Sequence, residues 1–173
     1  AGEPASLHGY PPSTARLIMS LAERAGPGPE GAGDITAVFS VLVAGSDMDG
    51  PVADILRGVL DGHVVMDRAI AERGRFPAIN VLRSVSRSLP AAATDHENTL
   101  IVSTRRLLGA YDRAEMMIQA GLYAAGSDPL IDAAIRVWPK LDAFLAEPEP
   151  DGTGASFARL ADILALVGSV KPT

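Results

Sequence analysis

The sequence contains no cysteine. That excludes a thiol nucleophile, a cysteine-based zinc site and a disulfide framework, and it fits a reducing compartment. Lysine is nearly as scarce. Of the 15 basic residues only Lys140 and Lys171 are lysine; the rest are arginine, whose planar fork suits carboxylate and phosphate partners. The net charge is −6 and the pI about 5.0, so the basic face that nucleic acid demands is missing from the overall balance. No apolar run is long enough to span a membrane. The chain opens Ala1-Gly2-Glu3-Pro4, with no start Met and no basic-then-apolar signal pattern; it reads as opened within a longer protein. Aromatic residues make up 5%, with a single tryptophan, Trp138.

What is present is ordinary globular material. Hydrophobic residues make up 47% of 173 positions, enough for a core without cross-links, and the length suits one domain or one and a half. Residues 1–12 are rich in Gly and Pro and are expected as loop. Pro12-Ser13 opens an amphipathic helix carrying Leu17, Ile18, Leu21 and Ala22 to about residue 25. A flexible glycine- and proline-rich loop follows over 26–33. Residues 35–43 are β-branched and almost wholly apolar, the pattern of a strand buried on both faces of a sheet. A turn at 45–50 leads to a helix from Pro51 to about Leu60, a short strand over 63–66, and one or two helical turns from Asp67 to Arg73, closed by Gly74.

The character changes after Pro77. From Asp95 to Ala125 proline is absent and apolar residues recur at helical spacing, which predicts one long helix or two helices broken near Gly109. Asp128 is a candidate N-cap for a helix starting at Pro129 and running to Trp138, with Pro139 opening another to about Ala146. Residues 147–154 read as a linker, and Phe157, Leu160, Leu164 and Val167 as one face of a last helix. The fold class expected is α/β followed by all-α, with the helical part beginning near residue 90.

Most chemistry-bearing residues carry no pattern. His8, His63 and His96 lack ligand spacing. Asp47, Asp49, Asp54 and Asp61 do not match a calcium loop and read as solvated. Met116-Met117 is expected as core. The glycines of 26–33 precede no Gly-Lys-Ser/Thr and so form no phosphate-binding loop.

Several segments, taken together, resemble the rotary-type ATPases, and within them the export ATPases of flagella and type III secretion. They are Gly2-Glu3-Pro4 with Gly9-Tyr10-Pro11-Pro12-Ser13; Gly33-Asp34-Ile35-Thr36; Asp47-Met48-Asp49-Gly50-Pro51; and the run from Leu60-Asp61-Gly62-His63 through Arg73-Gly74-Arg75-Phe76-Pro77-Ala78-Ile79-Asn80-Val81-Leu82. Ser84-Val85-Ser86-Arg87 and, further on, Tyr111, Glu115 and Ala120-Gly121-Leu122-Tyr123 complete the likeness. The departures are Asp34 and Asp67, where the family commonly has Ser, and Asn80, where it commonly has Asp. The Leu60-Asp61-Gly62-His63 start favours the export branch over ATP synthase. The likeness extends to about residue 146.

The resemblance implies the C-terminal portion of a RecA-like P-loop core with an incomplete sheet (1–89), a helical C-terminal domain (90–146) and a linker with a tail helix (147–173). It implies that Arg87 is an arginine finger, reaching across a subunit interface to the γ-phosphate of ATP held by a neighbour, where a guanidinium stabilises charge on the transferring phosphoryl group. It implies that Phe76 packs on adenine, with Pro77 fixing the loop's direction. ATP and Mg²⁺ belong to the full-length protein, whose phosphate cradle lies upstream of Ala1, so this chain alone is expected to be inactive. A homo-hexamer in the cytoplasm, peripheral to an inner-membrane export gate, is implied, with export substrates, chaperones and export-apparatus proteins as partners and no nucleic acid; contact with the membrane would run only through partners. Two other readings stay open: a non-catalytic helical interaction module, and a fragment of an ATP synthase subunit.

Overall fold

In the computed structural model the described residues are 10–43, 50–148 and 151–168. The opening loop through residue 9 with His8, the turn at 45–49 with Asp47 and Asp49, part of the expected linker, and Lys171 lie outside them. The chain divides into two units, residues 1–63 and 64–173.

In the first unit, helix α1 (Ser13–Ala22) packs against α2 (Pro51–Val59). Proline stands at the N-terminus of each, where its missing N–H costs no helical bond. Ala22, Ala53 and Leu56 are the buried apolar residues here. The loop after α1 is better organised than its glycines suggest. Gly26 and Ile35 exchange backbone bonds of 2.9 Å, and the Asp34 carboxylate accepts from the Gly28 N–H at 3.1 Å. The strand expected at 35–43 does not form: beyond the Gly26–Ile35 bridge the run has no ladder, and Val38 and Leu42 are 94% and 101% exposed. A strand's hydrogen bonds are made between strands, and among the described residues none stands beside this one.

The second unit holds most of a two-stranded ribbon of β1 (Gly62–Met66, whose first two residues belong to the first unit) and β2 (Ile79–Ser86), joined through α3 (Arg68–Glu72). The sequence reading places no element between Pro77 and Asp95. Ile79, Val81 and Val85 nevertheless alternate, and β2 occupies that stretch. Helices α4 (Asp95–Gln119), α5 (Pro129–Ala146) and α6 (Thr153–Ala165) pack on one another around Leu100, Leu107, Leu108, Ala110, Ala133, Ala134, Val137, Leu141 and Leu160. Alanines at 110, 133 and 134 let backbones approach closely, and Tyr111 stacks on Trp138 at 3.9 Å with rings 4° from parallel. This is the α/β-then-all-α order expected.

The long-helix alternative holds at Gly109, and the break expected at Pro139 is absent. Helix α4 is continuous through Gly109; one interior glycine costs only about 1 kcal/mol, while Leu107, Leu108 and Ala110 around it are buried. Helix α5 is continuous through Pro139. Interior proline costs about 3 kcal/mol, but Val137 and Leu141 beside it are the largest fully buried side chains of the molecule's described part, and their packing holds the helix through the defect. The helix starts are strongly specified. Thr94 and Glu97 form a reciprocal capping box on α4, and Asp128 accepts from the N–H groups of Leu130 and Ile131 at 2.8 and 3.2 Å, as its position before Pro129 suggested. The hydrogen bonds from Thr94 hold the Glu97 carboxyl below its usual pKa.

One side chain fastens β2 to this bundle. Arg105 of α4 donates to the carbonyls of Val81 (2.7 Å), Leu82 (2.9 Å) and Ser84 (3.4 Å). Arg105→Met keeps the stem's packing and removes these bonds. We expect a loss of about 2 kcal/mol, in line with charge-assisted bonds to partly buried groups, seen as a lower denaturant midpoint followed by Trp138 emission.

Candidate functional site

The site residues are carried by the α3–β2 segment, and its geometry starts at Asp67. This residue caps α3 by accepting from the Ala69 N–H (3.0 Å) with one carboxylate oxygen and accepts from the Asn80 amide (3.1 Å) with the other. Its own N–H donates to the Ala78 carbonyl at 2.8 Å. The Asn80 side-chain oxygen accepts from the Arg83 N–H at 3.1 Å. Ser84 Oγ donates to the Asn80 carbonyl (2.7 Å) and accepts from the Val65 N–H (3.0 Å), locking the two strands together. So Asp67 and Asn80, the two departures that the resemblance singled out in this stretch, touch each other and share a single carboxylate. Donation from Asn80 holds the Asp67 carboxyl below its ordinary value; partial burial opposes this, and the Ala69 N–H, Arg83 and Arg73 assist.

Helix α3 ends in a Schellman turn. The Arg75 N–H reaches the Ile70 carbonyl (3.3 Å) and the Gly74 N–H that of Ala71 (2.9 Å), with Gly74 at φ +81°, a conformation other residues adopt only with strain. The chain then presents Phe76, 63% exposed, across a cis bond to an exposed Pro77, before Ala78 is buried again. Arg73 pairs with Glu115 of α4, and Arg75 with Asp142 of α5 at 3.0 Å. Arg87 is exposed just beyond Ser86, the last residue of β2. Phe76 and Arg87 therefore flank the two ends of one eight-residue strand, about 26 Å at about 3.3 Å per residue. The fold brings Phe76 and Pro77 together and sets Arg87 apart from them.

Other candidates are dispersed. His63 lies on β1 and His96 in the first turn of α4; Asp54 pairs with Arg57 at 3.1 Å. Among the described residues no three His, Asp or Glu side chains cluster as a metal site would need, and no helix is long and apolar enough to cross a membrane. Met116 and Met117 are exposed, not core; the buried stripe of α4 ends at Ala114. Sequence reasoning missed Arg75, Arg105 and Asp142, because their partners lie 24 or more positions away or are backbone carbonyls, which no local motif announces.

Residues 1–86 match the ATP synthase alpha/beta family, nucleotide-binding domain, and residues 93–161 match the T3SS EscN ATPase C-terminal domain. The chain belongs to the flagellar and type III export ATPases. The flagellum-specific ATP synthase of Caulobacter vibrioides is 48% identical over 171 residues, covering 95% of this chain and 38% of that protein. Its counterpart from Salmonella typhimurium is 43% identical over 146 residues, 84% of this chain and 32% of that protein. The chain thus spans well under half the length of these relatives. Among solved structures, the assembled ATPase EscN from the enteropathogenic E. coli type III secretion system superposes with a TM-score of 0.85 at 32% identity, over 94% of this chain and 40% of that one. EscN in complex with its central stalk EscO gives 0.80 at 33%, over 94% and 38%. In an export ATPase chain of this kind, the expected RecA-core fragment with its C-terminal helices is what the fold contains.

The Asp67–Asn80 pair makes a pH-dependent prediction. A depressed carboxylate pKa contributes stability that is full above the unfolded value and fades as pH falls through the folded one. Asn80→Asp places a second carboxylate against Asp67 and should cost about 1–2 kcal/mol at neutral pH, with the deficit shrinking as acid neutralises the pair. Adding Asp67→Ser should recover most of it. Thermal unfolding of wild type, single and double variants at pH 7 and near pH 4 tests both points.

Proposed function

We propose that this chain is the C-terminal part of an ATPase subunit that energises flagellar, type III protein export by ATP hydrolysis within a homo-hexamer. The observation that carries the reading is the placement of Phe76 and Arg87 at opposite ends of β2. That separation suits a division in which the two groups serve different nucleotides. Phe76 packs on the adenine of the nucleotide its own subunit holds, with Pro77 setting the loop. Arg87 reaches the γ-phosphate held by the next subunit. A flat exposed ring binds a base through its face without reading its hydrogen-bonding edge. A guanidinium aimed at the equatorial oxygens stabilises charge as the phosphoryl group leaves.

The described residues suit the two ends of ATP but not its metal, since no cluster of oxygen ligands is present among them. The phosphate cradle and Mg²⁺ are assigned to the portion of the relatives that this chain does not span. The division of labour runs near residue 90. Residues 1–89 complete the nucleotide-binding domain, and residues 90–146 form the helical domain that meets export substrates, chaperones and export-apparatus proteins. The linker and tail helix occupy 147–173, with α6 packed on α4 and α5. The flagellar assignment is supported by the 48% and 43% identities to flagellum-specific relatives. Assembly is supported by the likeness to EscN, whose structure is that of an assembled ATPase. The protein would work in the cytoplasm, at the inner-membrane export gate.

The purified chain should show no ATP turnover above background; turnover lost on Arg87→Ala would contradict the reading. In the full-length protein, Arg87→Ala should lower kcat by roughly 10³-fold or more with KM for ATP little changed, and Phe76→Ala should raise KM with a smaller effect on kcat. Steady-state kinetics separates the two.

A further inference from the structure

We propose that Arg75 is a positioning residue that couples the Phe76 loop to helix α5. The proposal rests on the reading that Phe76 faces the nucleotide base. The Arg75 side chain is 10% exposed. Its Nε meets Asp142 of α5 at 3.0 Å, its Nη2 donates to the Ile79 carbonyl at 3.2 Å, and its Nη1 is buried with no hydrogen-bond partner among the described residues. A guanidinium buried with a donor unsatisfied is a poor way to gain stability; an apolar side chain of similar volume packs there at less cost. What this arginine supplies is geometry. It ties the first residue of β2 to α5 from a position next to Phe76.

The attachment points on the helices are not arbitrary. Glu115, the partner of Arg73, lies one turn beyond Tyr111 on α4, and Asp142 lies one turn beyond Trp138 on α5. Tyr111 and Trp138 are the stacked pair that joins those two helices. The loop is therefore tied to both helices directly beside the contact that fixes their mutual setting. The phenol of Tyr111 registers the same neighbourhood: burial raises its pKa, the negative charges of Glu115 and Asp142 add to this, and Arg73 opposes them. A shift of the loop when a base docks on Phe76 would load the ties and move α5 against α4. A rigid ion-paired strap and a face-to-face ring pair form a contiguous path through packed groups, with no mobile segment needed.

The test uses the full-length ATPase, with Arg75→Met, Asp142→Glu and Phe76→Ala, and a non-hydrolysable ATP analogue as the probe. Arg75→Met fits the buried site and leaves Asp142, already 40% exposed, to water, so its Tm should match or exceed wild type. Its KM for ATP should nevertheless rise about tenfold with kcat changed much less, as misplacing a positioning loop requires. Hydrogen exchange over residues 129–146 should respond to the analogue in wild type and in Asp142→Glu, which keeps the carboxylate, but not in Arg75→Met. If Arg75→Met fails to fold, Asp142→Asn is read by the same two measures. A folded variant with wild-type KM and a wild-type exchange response overturns the proposal, as does a wild type whose α5 ignores the analogue. If Phe76→Ala leaves KM unchanged, it is the underlying reading of Phe76 that fails.

Discussion

The attachment of the two-stranded ribbon to the helical bundle rests on the guanidinium of Arg105. A two-stranded ribbon is marginal by itself in water, and β1 and β2 form only that. Arg105 reaches from the middle of α4 to three carbonyls of β2, and Val81 and Leu82 pack onto the helical core from the same stretch. The ribbon is in effect a surface layer of the bundle. Because Phe76 leads into β2 and Arg87 leaves it, the rigidity that Arg105 confers on the strand is passed to both groups.

The bundle beneath is built for that load. Its core mixes long aliphatic side chains with alanines, so α4 and α5 come close enough for Tyr111 and Trp138 to stack. Pro139 survives inside α5 because Val137 and Leu141 are sealed on either side of it. Arginine, the dominant cation of the sequence, is used as its geometry allows: as a fork onto carbonyls at Arg105, as a buried tie at Arg75, and stacked over the Phe144 ring at Arg159, 5.6 Å from its centroid. Lysine could replace none of these without losing donors.

The parts of this picture that were legible in the sequence share a cause: they are local. Asp128 before Pro129 announced its helix, Gly74 closed α3, and helical periodicity marked α4 and α6. The run from Leu60 to Leu82 carried the family likeness that the relatives support. What was not legible depends on tertiary partners. Residues 35–43 have the composition of a buried strand, yet composition cannot say whether a neighbouring strand is at hand. Pro139 looked like a break, and Gly109 left one open, because propensity was weighed without the packing that overrides it. β2 was overlooked because Asn80, Arg83 and Ser84 interrupt its apolar alternation, and those polar residues serve the Asp67 and strand-to-strand bonds. Phe76, Pro77 and Arg87 were named from resemblance; no feature of spacing or composition would have singled them out, and Arg75 and Arg105 were invisible because their partners are a distant carboxylate and backbone carbonyls.

The central claim is that Arg87 acts on a nucleotide held by another subunit, and mixing two inactive full-length variants tests it most directly. One carries Arg87→Ala; the other has an intact Arg87 but a disabled phosphate-loop lysine. If the arginine works across the interface, co-assembled mixtures contain competent sites where an intact phosphate loop meets an intact Arg87, and ATP hydrolysis returns. Mixtures that co-assemble yet stay inactive at every ratio would contradict the account.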